Sequence, residues 1–264
     1  MLTAVHYRNE AQVRGFVAHL LELPLPPGWR LAVAVADNSS SWSTDTDLPP
    51  DVTVYANANT GYLGGCAFAY EAWRAEAGQT PAWLGVVNTD LEFAPNFFYR
   101  LLNTALLDTA GIVAPNVLLD NGARQNPFMR SRPLRSWLQA YMLVWRNRPL
   151  SRLWDLGFVT KQKLDAFRNP HLQGEPEKIY APHGSAVFLR DTLLKQSTLA
   201  YRGFMYFEEL HLAEQAREAG LDVWWLPDLV VRHHQNATTG GVSARRRWRW
   251  KYTSTRVILE DYFG

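Results

Sequence analysis

The sequence predicts an α/β domain on a mixed, mostly parallel central sheet, and three observations carry that prediction. In residues 1–100 short apolar runs alternate with stretches of helical spacing, the order expected of repeated strand–helix units. Asp37, Asn59, Asn88 and Asp90 each fall just after one of those runs, at the strand ends where open parallel sheets bind ligands. The 264 residues suit one enzyme-sized domain, with no internal repeat.

In order, Leu2–Tyr7 reads as a short apolar strand. Glu10–Leu23 follows as a helix, with Val13, Phe16, Val17 and Leu20 at helical spacing. Leu31–Ala36 is a buried strand that ends at Asp37-Asn38-Ser39-Ser40 and opens a Ser/Asp/Pro-rich loop to Pro50. Val52–Ala56 is the next strand, then Asn57 to Gly61, and a helix from about Gly65 to Ala77. Trp83–Val87 is a strand stopping at Asn88-Thr89-Asp90-Leu91-Glu92, and Pro95, lacking an N–H, suits the first turn of another helix. Gly111–Leu118 reads as a strand and 130–170 as amphipathic helix rich in Trp, Leu and Arg. Ile179–Leu189 reads as a strand interrupted at His183-Gly184-Ser185.

The stretch Gly203–His234 combines an aromatic run, the paired carboxylates Glu208 and Glu209, and a helix from about Leu210 to Glu218 that stops at Gly220. Two apolar runs, Val223–Leu226 and Leu229–Val231, then deliver His233 and His234. Carboxylates at a helix start and imidazoles at a strand end can converge on one pocket. The same groups also have ordinary structural roles: Glu208 and Glu209 complement a helix dipole, Asp37 starts an Asx turn, and Asp90 caps a helix.

Composition narrows the function. Cys66 is the only cysteine, so no internal disulfide forms and a reducing compartment fits. The N-terminal residues lack the apolar core of a signal peptide, and no run approaches the ~20 apolar residues of a membrane span, so a cytoplasmic location is expected. Charge is polarised. Ten basic residues face four acidic ones from Arg130 to Lys178, and seven face none from Arg232 to Arg256. Such blocks, with RRRWRWKY at 245–252 mixing guanidiniums and indoles, fit a polyanionic partner. No nucleic-acid fold signature accompanies them, so the expected partner is an anionic membrane, contacted peripherally at its inner face, or a lipid-pyrophosphate acceptor. The glycines at 61, 64 and 65 let a backbone approach a ligand closely, but their spacing is not the GxGxxG of a dinucleotide fold, which removes the main support for hydride transfer.

Taken in order, Asp37-Asn38-Ser39-Ser40, Asn59-Thr60-Gly61-Tyr62-Leu63-Gly64-Gly65, Asn88-Thr89-Asp90, His183-Gly184-Ser185-Ala186, Phe207-Glu208-Glu209 and Pro227 to His233 resemble the inverting family 2 glycosyltransferases of the GT-A fold, especially their rhamnosyltransferase-like branch. The resemblance implies a three-layer, Rossmann-related fold over 1–235, with a nucleotide-binding part of about 1–118, an acceptor-binding part of about 119–235, and a basic extension, 236–264. It implies that Asp37 contacts a uracil or thymine ring, that Asn59, Gly61, Gly64, Gly65 and Asn88 shape the nucleotide site, and that His183 and Gly184 line the sugar and acceptor site. Asp90 and His233 would hold Mg²⁺ or Mn²⁺, with Glu92 a further ligand if strand alternation aims it with Asp90. Glu209 matches the family's general base, with Glu208 beside it. His211 stands in place of a common aspartate, as a substitute base or a helix-surface residue. The implied donor is a dTDP- or UDP-linked sugar, dTDP-L-rhamnose first, and the acceptor a lipid-linked or oligosaccharide hydroxyl in polysaccharide or glycolipid assembly. A noncatalytic relative that binds nucleotide, membrane or nucleic acid, or a sugar nucleotidyltransferase, stands as the other reading, although the Gly-rich phosphate loop of the latter is missing near residue 10.

Overall fold

The computed structural model describes residues 1–43, 48–105, 108–157, 174–235 and 242–264. Of the expected features, Lys161, Lys163 and Arg168 of the first basic block and 236–241 of the loop before the second lie outside these residues. A nine-stranded sheet runs through the middle of the molecule. Strands β1 (Leu2–His6), β2 (Val33–Asp37), β3 (Val52–Ala56) and β4 (Trp83–Val87) are parallel, in the order β3-β2-β1-β4. The pairings His6↔Asp37 and Asp37↔Ala56 set the carboxyl ends of β1, β2 and β3 level with one another.

Next to β4 the direction reverses. Strand β8 (Ala186–Arg190) is antiparallel to both β4 and β6 (Ala110–Leu119), and β6 is parallel to β9 (Asp222–His233). The other edge of β9 carries two short antiparallel strands, β5 (Leu91–Phe93) and β7 (Glu177–Ile179). Six strands therefore run one way and β5, β7 and β8 the other, the mixed, mostly parallel sheet that the sequence predicts.

Both faces are covered, which explains why the strands read as continuous apolar runs. Helices α1 (Glu10–Glu22) and α3 (Phe97–Asn103) put Val13, Phe16, Leu20, Phe97 and Phe98 on one face, against Val35, Val87, Val113 and Phe188. Helices α2 (Tyr62–Ala77), α6 (Asp191–Leu194) and α7 (Glu208–Glu218) cover the other face, where Leu63, Tyr70, Leu193 and Leu212 meet Val86, Ile112, Val187 and Leu189. Successive residues of β4, β6 and β8 thus feed opposite cores, as a period of two requires.

Two predicted strands divide differently. Val223–Leu226 and Leu229–Val231 are one strand, β9, whose pairing with β6 jumps between Leu226 and Val230. Pro227 has no N–H for the ladder, so the chain bulges there and then resumes. The predicted strand Ile179–Leu189 is instead β7 and β8, which pair with different neighbours. Helix α2 starts at Tyr62, and α7 starts at Glu208, both earlier than spacing suggests.

A third helical layer lies beyond α7. It comprises α4 (Arg135–Arg146), α5 (residues 148–157) and α8 (Ala244–Tyr262), and Leu138, Phe207, Leu210, Ala213 and Ile258 form a shared core between α4, α7 and α8. The RRRWRWKY segment is the first half of α8, and its indoles turn inward. Trp248 is buried and donates to Asp155 at 2.9 Å, Trp250 lies 5.1 Å from the Phe204 ring, and the Lys251 ammonium sits 4.1 Å over Trp145.

One buried carboxylate clasps this layer to α7. Glu214, whose side chain is 0% exposed, accepts from Arg132 at 2.7 Å, Arg217 at 2.6 Å and the Tyr180 hydroxyl at 2.7 Å. Burial alone would raise its pKa; these three donors outweigh burial and hold it below the usual carboxylate range. Glu214→Ala is expected to cost about 2 kcal/mol, because hydrogen bonds to charged groups are worth about 1.5–3 kcal/mol and both arginines can rehydrate. The stabilisation is present above the unfolded carboxyl value and lost as pH falls through the lowered native one. Urea unfolding at pH 7 and pH 3 measures it: the difference between wild type and variant at pH 7 should be smaller at pH 3.

Candidate active site

The candidate site is built on the level carboxyl ends of β1, β2 and β3 and on the turn that follows β4. Asp37 ends β2, and its oxygens serve the loop that follows. Oδ1 accepts from the Ser39 amide at 2.9 Å and the Ser39 hydroxyl at 3.0 Å, and Oδ2 accepts from the Trp42 amide at 3.0 Å. The Asx-turn role is therefore realised. Burial alone would raise the carboxyl; the Ser39 and Trp42 donors outweigh it and hold the pKa below the ordinary value. His6, which sequence reasoning passed over, ends β1 fully buried, with Nε2 3.7 Å from Asp37 Oδ1 and Nδ1 3.2 Å from Asn9 Oδ1. Its position level with Asp37 at a strand end was the available signal.

Asn38 organises the next loop. Its amide donates to the Gly61 carbonyl at 2.8 Å and accepts from Asn57 at 2.7 Å, while exposed Asn59 accepts from the Gly61 amide at 3.3 Å. The glycines also have a packing reason of their own. A Cβ on Gly61, whose φ is +84°, would lie 1.7 Å from the Phe204 carbonyl oxygen. One on Gly65 would lie 2.8 Å from Val5 of β1, and one on Gly64 3.1 Å from Thr60. Gly64 and Gly65 sit in the first turn of α2, so they serve the close packing of chain on chain.

Asn88 continues the ladder beyond β4, its amide donating to Ser185 O at 2.8 Å. Thr89 turns back toward α1, where Gln12 donates to its hydroxyl, and Asp90 Oδ1 lies 3.3 Å from His233 Nε2. Gln125 Oε1 lies 2.6 Å from His233 Nδ1, which orients the ring and places that proton on Nδ1. Nε2 then presents its lone pair to a carboxylate oxygen, an arrangement that a cation between them satisfies. The 3.3 Å separation is close to the ~3 Å between neighbouring ligands of an octahedral ion held at about 2.1 Å. The residues present fit a divalent ion with two protein ligands; among the described residues no group of three or more His, Cys, Asp or Glu converges.

Glu92 does not join them. Asp90 lies in the turn before β5, so strand alternation does not aim the two carboxylates together. Glu92 instead meets His234 Nε2 at 3.1 Å, and Asp120 meets His234 Nδ1 at 2.9 Å, on the more exposed side of β9.

The start of α7 lies beside the His183-Gly184 segment. Tyr206 and Phe207 both have positive φ, 71° and 66°, in a region costly for bulky residues. This strained step places Glu208 buried and Glu209 half-buried at the first turn. Burial pushes the Glu208 carboxyl up to about 7, and burial followed by the neighbouring Glu208 pushes Glu209 up to about 8. Glu209 Oε2 is 3.3 Å from where a Cβ on Gly184 would stand, so Gly184 leaves it room. His183 lies between the two halves of the site, its ring 6.2 Å from that of His233. Its Nδ1 accepts from the Ser185 amide at 3.2 Å, its own amide donates to Asn126, and burial drives its pKa down to about 3, so the ring is neutral.

The Tyr62 hydroxyl, a second residue that sequence reasoning passed over, is buried without a hydrogen-bond partner. Burial first, then Cys66, Glu208, Asp90 and Glu209 around it, hold its proton well above the ordinary tyrosine range. Its place one residue after Gly61 was the only signal.

His211 is not the helix-surface residue of the second expectation: it is 3% exposed, its Nδ1 is 2.7 Å from the Tyr262 hydroxyl of α8, and burial lowers its pKa to about 4.

The fold is that of the GT-A glycosyltransferases. Residues 4–253 match the family described as glycosyltransferase like family 2, and the chain belongs to that family. Among solved structures it is similar to GalNAc-T7 with UDP, GalNAc and Mn²⁺ (TM-score 0.58, 13% identity, 97% of this chain and 47% of that one). It is also similar to residues 1–349 of TarS from S. aureus (TM-score 0.53, 10% identity, 99% and 72%). A third is the mannosyltransferase PcManGT from Pyrobaculum calidifontis with GDP-Man and Mn²⁺ (TM-score 0.52, 14% identity, 99% and 69%). The chain thus spans about half the length of the first of these. Comparison with curated proteins found no match.

Proposed function

We propose that this protein transfers a sugar from a nucleoside-diphosphate donor to an acceptor hydroxyl, with inversion at the anomeric carbon. One observation carries the reading. A raised, half-buried carboxylate, Glu209, and an oriented acid–imidazole pair, Asp90 and His233, stand at opposite ends of the His183-Gly184 segment. Glu209 takes the acceptor's hydroxyl proton while the acceptor oxygen bonds to the anomeric carbon. The bond from that carbon to the diphosphate breaks from the opposite face, and its electron pair leaves with the nucleoside diphosphate. Asp90 and His233 would hold a Mg²⁺ or Mn²⁺ ion, which when bound neutralises charge on the departing diphosphate. The neighbours that carry Mn²⁺ with UDP or GDP-mannose support this assignment. Asn88 and the loop from Asn57 to Gly61 flank the donor, and a dTDP-linked sugar such as L-rhamnose remains the donor that the motif order favours.

Thermal melting with UDP, dTDP, GDP and NAD, each with and without Mn²⁺, tests the donor class. A ligand present at about 100 times its Kd stabilises the folded state by about 2.7 kcal/mol. The expected result is a shift with one nucleoside diphosphate that grows with Mn²⁺ and whose Mn²⁺ increment disappears in Asp90→Asn and His233→Ala. Silence from every nucleotide would overturn the transferase reading, and an increment retained in both variants would remove the metal assignment alone.

A further inference from the structure

From sequence the membrane contact is expected at both basic blocks, 130–178 and 232–256; the fold turns the indoles of RRRWRWKY in the second inward, and the exposed apolar surface lies within the first. Seven of the thirteen large apolar side chains that stand exposed among the described residues fall between 134 and 156. They include Leu134 at 72%, Leu143 at 58%, Leu150 and Leu153, with Trp137 and Trp154 beside them. On α5, Ser151 is buried and Asp155, one turn on, faces α8, which puts Leu153 on the outward side. Such a concentration of exposed leucine on two successive helices is not what an isolated surface residue produces, and it marks an interaction face.

The charge around it is of one sign. Arg135, Arg146, Arg148 and Arg152 are exposed, and Asp155, the one acid between 134 and 157, is engaged by Trp248 and Lys251. Arg148 and Arg152 meet Arg245 of α8 around a cleft of about 360 Å³. Guanidinium groups so placed match phosphate oxygens, and leucines next to them suit the acyl boundary just beneath a phosphate layer.

We propose that the α4–α5 hairpin and the neighbouring arginine of α8 form a docking face for an anionic phospholipid bilayer. Leu143, Leu150 and Leu153 enter the interfacial region, and Arg148, Arg152 and Arg245 contact headgroup phosphates. The proposal is independent of which donor the candidate active site uses.

The test is co-sedimentation of the full chain with vesicles of phosphatidylcholine alone or with phosphatidylglycerol at about three to one, where each basic residue near the surface contributes to attraction. Wild type is expected to pellet with the anionic vesicles and to remain in solution with the neutral ones. The double variant Leu150→Ser, Leu153→Ser should lower partitioning about tenfold or more, and Arg148→Gln with Arg152→Gln should erase the preference for anionic lipid. Both pairs are exposed, so melting temperatures should match wild type. Quenching of wild-type tryptophan emission by brominated lipid, expected from Trp137 and Trp154, needs no variant. Wild type that ignores anionic vesicles, absence of quenching, or a leucine variant that pellets as well as wild type would each overturn the proposal. So would light scattering that shows a dimer dissolved by the leucine substitutions, which would assign the face to a second copy.

Discussion

Glu209→Gln is expected to lower turnover by two to four orders of magnitude while nucleotide affinity stays within about threefold, because a positioned general base contributes about 10²–10⁴ in rate and the amide keeps the shape of the side chain. The pH profile separates a base from a merely structural carboxylate. Burial, and after it the Glu208 charge, places the Glu209 carboxyl at about 8, so it is largely protonated at neutral pH. A base works deprotonated; kcat/KM should therefore rise as pH passes through 7 to 8 and level above. Glu208 titrates at about 7 beside it, so the two apparent values belong to the pair. Glu208→Gln removes the like charge and should move the rise to lower pH. The stability sign runs the other way. The native carboxyl holds its proton above the unfolded value of 4.5, so its contribution is fully present below 4.5 and is lost as pH rises through about 8. Turnover unchanged by Glu209→Gln, or a rise that stays in place in Glu208→Gln, would defeat the assignment.

The parts of the site that were legible in the sequence are those announced by local chemistry. Asp37, Asn88 and Asp90 follow apolar runs, and strand ends in a parallel sheet gather at one edge. Glu208 and Glu209 open a helix, and His233 ends a strand. The illegible parts depend on which element lies opposite. Gly61 and Gly65 carry no local sign that Phe204 and Val5 stand where their side chains would be. Glu92 looks aligned with Asp90 only if the strand begins a residue earlier than it does. His211 lies two residues from Glu209, but the helix turns it onto Tyr262, more than fifty residues away in sequence. RRRWRWKY shows its composition and not its orientation, and Asp155 and Phe204 decide that orientation. Gln125, which orients His233, carries no local signal at all.

Gly61→Ala is expected to be the most damaging glycine-to-alanine change among the described residues, lowering stability by about 4 kcal/mol. Positive φ is one part of the cost, about 1–3 kcal/mol for a non-glycine residue held there. The other part is contact: the new Cβ would fall 1.7 Å from a main-chain oxygen, Phe204 O, which cannot rotate away as a side chain would. Gly78 separates the two parts. Its φ is +64° but nothing lies within 4 Å of a Cβ there, so Gly78→Ala should cost only about 1 kcal/mol. Urea midpoints of the two variants, compared with wild type, give the difference directly. The consequence extends to chemistry, because Phe204 leads within two residues into the strained pair Tyr206 and Phe207 that sets Glu208 and Glu209. Relief of the clash must move either α2 or this segment, and Glu209 rides on the segment. Whatever fraction of Gly61→Ala folds should therefore lose kcat, while Gly78→Ala keeps it. Equal midpoints for the two variants would mean that the 204–207 segment yields freely, and its two left-handed residues would then be a consequence of packing without a role in aiming the base.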